Sequence, residues 1–250
     1  MTDPLPSFAQ DSARLVALWG LAERGRYREV LDQLRMFSRE EMERRTLLAL
    51  LAAEAHGRLG EHDEAAHWAA TALRRARSQG QRHAELRARN YQGAIALERG
   101  DGEEAAAHSS EALQLAHELG DHAAEARCLN NLGIIAQLYG TPRSALATYK
   151  LALAAYQQAG VLRGMAETHH NLGISLRDLG DYRRALEDAD EAVRLAGLAG
   201  DESLMTLTLA GRAELHLLLG DLDLAEAELA RAAAAGERLR DPAATAEAWR

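Results

Sequence analysis

The sequence predicts an all-α fold, an α-solenoid of stacked antiparallel helix pairs, and three observations carry that prediction. Glycine recurs every 40 residues, at Gly60, Gly100, Gly140, Gly180 and Gly220, with a second ladder halfway between at Gly80, Gly120, Gly160 and Gly200 and Arg240 in its last slot. A fixed period in the range of roughly 20–50 residues is the mark of a solenoid, in which each unit buries its apolar face against its neighbours. Between these punctuators lie stretches of roughly 17 residues with apolar side chains at three- and four-residue spacing, the pattern of amphipathic helices, and nowhere the alternation of a strand. Finally, one segment is repeated: Asn130-Asn131-Leu132-Gly133-Ile134, ending at Gly140, returns as His170-Asn171-Leu172-Gly173-Ile174, ending at Gly180.

Taken in order, residues 1–10, with Pro4 and Pro6, read as a flexible leader. Residues 11–40 form an atypical helix pair turning near Gly25-Arg26-Tyr27, out of phase because Gly25 precedes Gly60 by 35 residues; terminal repeats are commonly irregular. Five 40-residue units follow, at 41–80, 81–120, 121–160, 161–200 and 201–240. Residues 241–250 begin a further helix, either a cap or the start of another unit.

Each unit carries the same local chemistry. The closing glycine suits the left-handed position that ends a helix. The residue after it is a helix N-cap type: Asp101, Thr141, Asp181 and Asp221, with Asp121, Asp201 and Asp241 at the half-unit boundaries. Thr141-Pro142 and Asp241-Pro242 add proline at the first helical position, where a missing N–H costs nothing. The second helix of each unit keeps two small residues seven apart: Ala65, Ala105, Ala145, Ala185 and Ala225, then Ala72, Ala112, Ala152, Ala192 and Ala232. Two turns separate the members of a pair, so both face one seam and let neighbouring helices approach closely.

Gly133 with Ala145 and Ala152, Gly173 with Ala185 and Ala192, and the Leu-Gly-Asp-Tyr turn at 179–182 resemble the tetratricopeptide repeat. The resemblance covers 41–240 and, more weakly, the ends. It departs in length, since the usual unit has about 34 residues, and in that respect is similar to the long repeats of kinesin light chain and Leu-Gly-Asn repeat scaffolds, bacterial peptide sensors and the sensor arms of transcriptional regulators. It implies a right-handed superhelix of about six units plus a terminal helix, with the first helix of each unit lining a concave groove.

That resemblance carries ligand contacts onto particular residues. They are Arg87, Asn90 and Tyr91 on one first helix; Arg127, Asn130, Asn131, Ile134 and Gln137 on the next; and Glu167, His170, Asn171, Ile174 and Arg177 on the third. An asparagine offers a donor and an acceptor on a short side chain, so a row of them can hold a peptide backbone without reading its sequence. The same amides could instead bridge neighbouring helices. Arg87, Arg127 and Arg177 would favour acidic side chains or a terminal carboxylate. Flanking leucines such as Leu47, Leu50, Leu207, Leu217 and Leu218 read as core, or as an apolar binding patch.

Composition narrows the function further. A net charge of −9 with pI near 5.6 argues against a duplex nucleic-acid binder, which needs a basic face. Cys128 is the only cysteine, which rules out an internal disulfide and fits a reducing cytoplasm. No signal peptide and no run of about 18 apolar residues is present, so no membrane partner is expected. Lys150 is the only lysine against abundant arginine, the bias of a GC-rich, bacterial genome. His62 and His67 are five apart, as are His117 and His122, which is not the spacing of a helical metal pair. No phosphate loop and no Ser/His/Asp arrangement is placed, so neither enzyme activity, catalytic residue, metal nor cofactor is expected. The sequence reads as a non-enzymatic scaffold binding an extended peptide or partner segment in the groove. The alternative is the sensor or oligomerisation arm of a bacterial regulator, binding a small molecule or another copy of itself through the terminal helices.

Overall fold

The computed structural model describes residues 8–239, and among them every regular element is a helix. The order is α1 (Phe8–Glu23), α2 (Tyr27–Leu34), α3 (Arg39–Arg44), α4 (Thr46–Arg58), α5 (His62–Ser78), α6 (Arg82–Glu98), α7 (Gly102–Leu119), α8 (His122–Tyr139), α9 (Pro142–Ala159), α10 (Leu162–Asp178), α11 (Tyr182–Ala199), α12 (Glu202–Leu219) and α13 (Leu222–Leu239). From α4 onward consecutive helices pack as antiparallel pairs and each pair stacks on the next, an α-solenoid. No helix among the described residues is long and apolar enough to cross a membrane.

The caps show why the helices start where they do. Asp101, Asp121, Thr141, Asp181 and Asp201 each accept a hydrogen bond from the backbone N–H three residues on, satisfying one of the donors a helix start leaves unpaired. Asp241-Pro242, the helix begun at 241–250 and any self-association through it lie outside the described residues. The repeated alanines of the second helices, from Ala65 through Ala232, have no solvent exposure. That is the close approach a small side chain permits.

The N-terminal region departs from the reading of the sequence. Helix α1 starts at Phe8, inside the stretch expected to be leader. The pair assigned to 11–40 ends early at Leu34, and a separate short helix, α3, straddles the expected boundary with the first full unit. Ser38 and Glu41 build that helix through a capping box: the Ser38 hydroxyl accepts from the Glu41 N–H at 3.2 Å, and the Glu41 carboxylate accepts from the Ser38 N–H at 2.8 Å. One closing glycine also departs. Gly140 sits at φ −115°, not in the left-handed region occupied by Gly60, Gly100, Gly180 and Gly220. Pro142 forces the preceding Thr141 to φ −129°, ψ 149°, because proline excludes the helical region for its predecessor, and Gly140 takes up the change.

Curvature follows from which helices touch. The first helices α4, α6, α8, α10 and α12 each contact the next first helix as well as their own partners, whereas α5, α7, α9, α11 and α13 do not contact one another. Elements closer together lie on the inside of a bend, so the first helices form the concave face.

Candidate binding cavity on the concave face

The concave face holds a half-open cavity of about 610 Å³. Ten of the thirteen residues singled out in the sequence line it: Arg87, Asn90 and Tyr91 from α6, Arg127, Asn130, Asn131 and Ile134 from α8, and Glu167, His170 and Asn171 from α10. Gln137, Ile174 and Arg177 do not. Gln137 joins neighbouring helices, its amide oxygen accepting from Ser175 Oγ at 2.8 Å and its Nε2 donating to Asp178 at 3.1 Å. Arg177 is held by Glu214 at 2.6 Å and Asp178 at 3.0 Å. Both side chains are committed to the edge of the stack.

The asparagines do not form a free row of peptide-binding amides. Asn90 and Asn130 are buried. The Asn131 amide donates to Asn90 Oδ1 at 3.1 Å, and one repeat on, the Asn171 amide donates to Asn130 Oδ1 at 3.2 Å. Each rung is an amide–amide bridge between successive first helices. Cys128 Sγ lies 3.6 Å from the first acceptor and Thr168 Oγ1 lies 3.2 Å from the second, completing the same register. Burial pushes the Cys128 thiol up to about 12, so the thiol stays protonated and inert. The bridge ends at the third rung, where His170 stands in place of asparagine and Gly211 in place of its donor. A Cβ on residue 211 would lie 2.6 Å from the imidazole Cε1. Burial first, then the charge of Arg177, lower the His170 pKa to about 4, so the ring is neutral at pH 7.

Several wall residues lie outside the sequence reading. Glu54 and Arg58 come from α4, Tyr27 from α2, Tyr156 from α9, Arg163 from α10, and Leu204 from α12, beside Leu207, which the sequence offered as core or as an apolar patch. The spacing of Arg163 and Glu167, one helical turn apart, is the one local signal that could have found any of them. The others depend on contacts between distant parts of the chain.

These residues form two polar clusters. In the first, Arg87 stacks over Trp19 with its Cζ 4.0 Å from the ring centroid and donates to the Tyr91 hydroxyl at 3.1 Å. Tyr91 in turn donates to Glu54 at 2.7 Å. In the second, Glu167 lies 3.1 Å from Arg58 and 3.5 Å from Arg163. Burial alone would push the Glu167 carboxyl up, but the two guanidiniums outweigh it and hold its pKa below the usual range. Arg163 also meets Asp201 at 2.9 Å and the Tyr27 hydroxyl at 2.6 Å.

Several polar groups in the wall lack such partners, the side chains of His62, Glu98 and Ser203 among them. Arg127, the Tyr156 hydroxyl and the His170 ring make no hydrogen bond or ion pair among the described residues, while Arg58, Arg87 and Arg163 are all paired. Arg127 is near enough for its charge to act on Tyr156 and Glu167. Tyr156 is almost fully buried and owes its place to Gly164, where a Cβ would lie 2.2 Å from the Tyr156 ring. Beside these groups the wall is apolar, with Ile134, Leu204 and Leu207. Among the described residues no group of three or more His, Cys, Asp or Glu is placed to hold a metal ion.

Two family models, both described as tetratricopeptide repeat, match residues 85–158 and 166–197. The sequence matches no curated protein. Among solved structures, NprR in complex with its cognate peptide NprX superposes with a TM-score of 0.75 at 14% identity, over 98% of this chain and 72% of that one. A Rap protein complexed with Competence and Sporulation Factor gives 0.65 at 16% identity, over 93% and 70%. A signal transduction ATPase with numerous domains, carrying a tetratricopeptide repeat sensor, from Pyrococcus horikoshii gives 0.68 at 16% identity. There the match covers 92% of this chain but 35% of that protein. Likeness at these identities establishes the fold.

Proposed function

We propose that this chain, which is a tetratricopeptide-repeat protein, is a non-enzymatic binding module that takes a short peptide or a segment of a partner protein in its concave cavity. The observation that carries the reading is Arg127, a guanidinium in the cavity wall with no ion-pair or hydrogen-bond contact among the described residues. A partly buried charge without a partner is costly, and an acidic group on a ligand would remove that cost. Tyr156 and His170 supply further polar contacts, and Ile134, Leu204 and Leu207 receive an apolar side chain. The complex of NprR with the peptide NprX supports a peptide as the ligand class.

A second reading has its own observation. The cavity volume of about 610 Å³ falls within the roughly 300–1,000 Å³ typical of compact small-molecule sites, which favours a sensor for a small anionic molecule over a groove for a long segment. The sensor domain named for the Pyrococcus horikoshii protein supports this alternative.

Selection from a random peptide library against the wild type and Arg127→Gln tests the proposal. Acidic peptides enriched on the wild type and at least tenfold weaker on Arg127→Gln are expected. Equal enrichment on both would remove Arg127 from the site. No enrichment on either, with a small acid from a cell extract retained by the wild type in native mass spectrometry, would favour the sensor.

A further inference from the structure

We infer that the concave face is narrowed to a half-open cavity by a polar latch between the N-terminal arm, α1–α4, and the α10–α12 end of the stack. The contacts join residues far apart in the chain. Arg58 on α4 meets Glu167 on α10 at 3.1 Å. Arg163 on α10 donates to the Tyr27 hydroxyl at 2.6 Å and to the Ala22 carbonyl at 3.4 Å. The α1–α2 turn packs on Asp201, the residue that caps α12. Gly25 there has φ +73°, and a Cβ on it would lie 2.6 Å from Asp201 Oδ1, so only glycine lets the turn sit this close.

Among the described residues no hydrophobic cluster spans the seam. The large N-terminal core, from Leu18 and Val30 through Leu51 and Trp68 to Ile95, contains no residue of α10 or α12. The cluster of Ala166, Leu195, Ala196 and Leu204 contains none from α1–α4. No helix of the arm has its backbone packed against α10 or α12. Polar side chains and the backbone of the α1–α2 turn therefore hold the ends together, with no helix-on-helix packing between them among the described residues. A stack of repeats draws its stability from nearest neighbours, so parting this seam exposes no hydrophobic core and leaves each helix pair intact.

Asp201 is the hinge of the arrangement in chemical terms. Its Oδ1 accepts from the Leu204 N–H at 2.9 Å to start α12, while its Oδ2 faces Arg163 Nε at 2.9 Å. The helix start and the latch are built on one fully buried carboxylate. Removing its charge while keeping a capping oxygen separates the two roles, because asparagine caps as well as aspartate. The latch governs entry to the cavity whatever the cavity binds, and it can be read with no ligand present.

Spin labels on Met36→Cys and Leu198→Cys, both well exposed, report the separation of the two sides; Cys128 is fully buried and stays unlabelled. Pulsed electron resonance should give one narrow distance distribution for the otherwise wild-type chain. In Glu167→Gln and in Asp201→Asn the distribution should broaden and shift to longer distances, with helical content unchanged by circular dichroism. Gly25→Ala attacks the seam from the other side and should do the same. Arg99→Gln, which breaks the 2.7 Å pair with Asp63 away from the seam, should leave the distribution as it was. Unchanged distributions in Asp201→Asn and Gly25→Ala, with helicity intact, would overturn the latch and assign the closure to the curvature of the stack. That outcome would leave the Arg127 reading of the ligand standing, since the library selection tests it separately.

Discussion

His170 should make the stability of this protein depend on pH in a way its neighbours in the register do not. Burial and Arg177 lower the imidazole from its ordinary 6.5 to about 4, whereas the unfolded chain regains the ordinary value. Between those two values the unfolded state binds a proton that the folded state refuses, so stability is full above about pH 6.5 and falls as the pH drops toward 4. At about 1.36 kcal/mol per pH unit, lowering the pH from about 7.5 to about 4.5 should remove roughly 2.5 kcal/mol through this residue alone. The assay is urea unfolding at the two pH values for wild type and His170→Asn, the residue type that stands at Asn90 and Asn130. Carboxylates titrating near pH 4.5 affect both proteins, so the difference between them isolates the histidine. The expected loss for wild type exceeds that of the variant by roughly 2.5 kcal/mol. Parallel pH dependences would mean that the ring reaches water in the folded state, and the argument for a neutral imidazole in the wall would fail.

Three other substitutions test the packing that positions the cavity. Gly164→Ala should cost about 1–3 kcal/mol because its Cβ would lie 2.2 Å from the Tyr156 ring; Tyr156→Ala in the same chain should recover most of it, and additive losses in a double-mutant cycle would show that the two do not press on each other. Asn130→Ala removes the acceptor of the second amide bridge and should lower stability by about 1–3 kcal/mol, read as the urea midpoint; an unchanged midpoint would release this asparagine from its bridging role. Ala185→Leu should overpack the seam between helices by about 1–3 kcal/mol, and an unmoved melting temperature would take Ala185, which has no solvent exposure, out of that seam.

The solenoid was legible because each helix carries its own start and stop signals and because the alanines recur in register. Asp101, Asp121, Asp181 and Asp201 cap by local geometry that no tertiary contact has to supply. Gly140 was misread as left-handed because Pro142, two residues on, sets the backbone there. The site was half legible. Register picked out ten cavity residues, but register cannot say which atoms of Asn90 and Asn130 their neighbours occupy. The distinction between an open groove and a narrowed cavity rests on Arg58, Arg163 and Tyr27, whose partners lie 109 and 136 residues away. Only the accumulated curvature of the stack brings such residues together, and periodicity does not encode it.

The chemistry of the cavity sits where the chain breaks its own period. At one place in the second helix stand Ala76, Ala116 and Ala196, all fully buried, but Tyr156 in the unit between. On the facing first helix Ala84 and Ala124 give way to Gly164, whose missing side chain makes room for that ring. The amide bridge likewise runs through Asn90 with Asn131 and Asn130 with Asn171 and then changes to His170 over Gly211. In both cases a large polar side chain has been admitted and a glycine stands opposite it. The repeated alanines and asparagines already satisfy the packing and the hydrogen bonds, so packing alone gives no reason for either exchange. Both exchanges place a group without a hydrogen-bonding partner among the described residues in the wall of one cavity, beside Arg127. What recurs in this sequence builds the stack, and what fails to recur gives the cavity wall its tyrosine and its histidine.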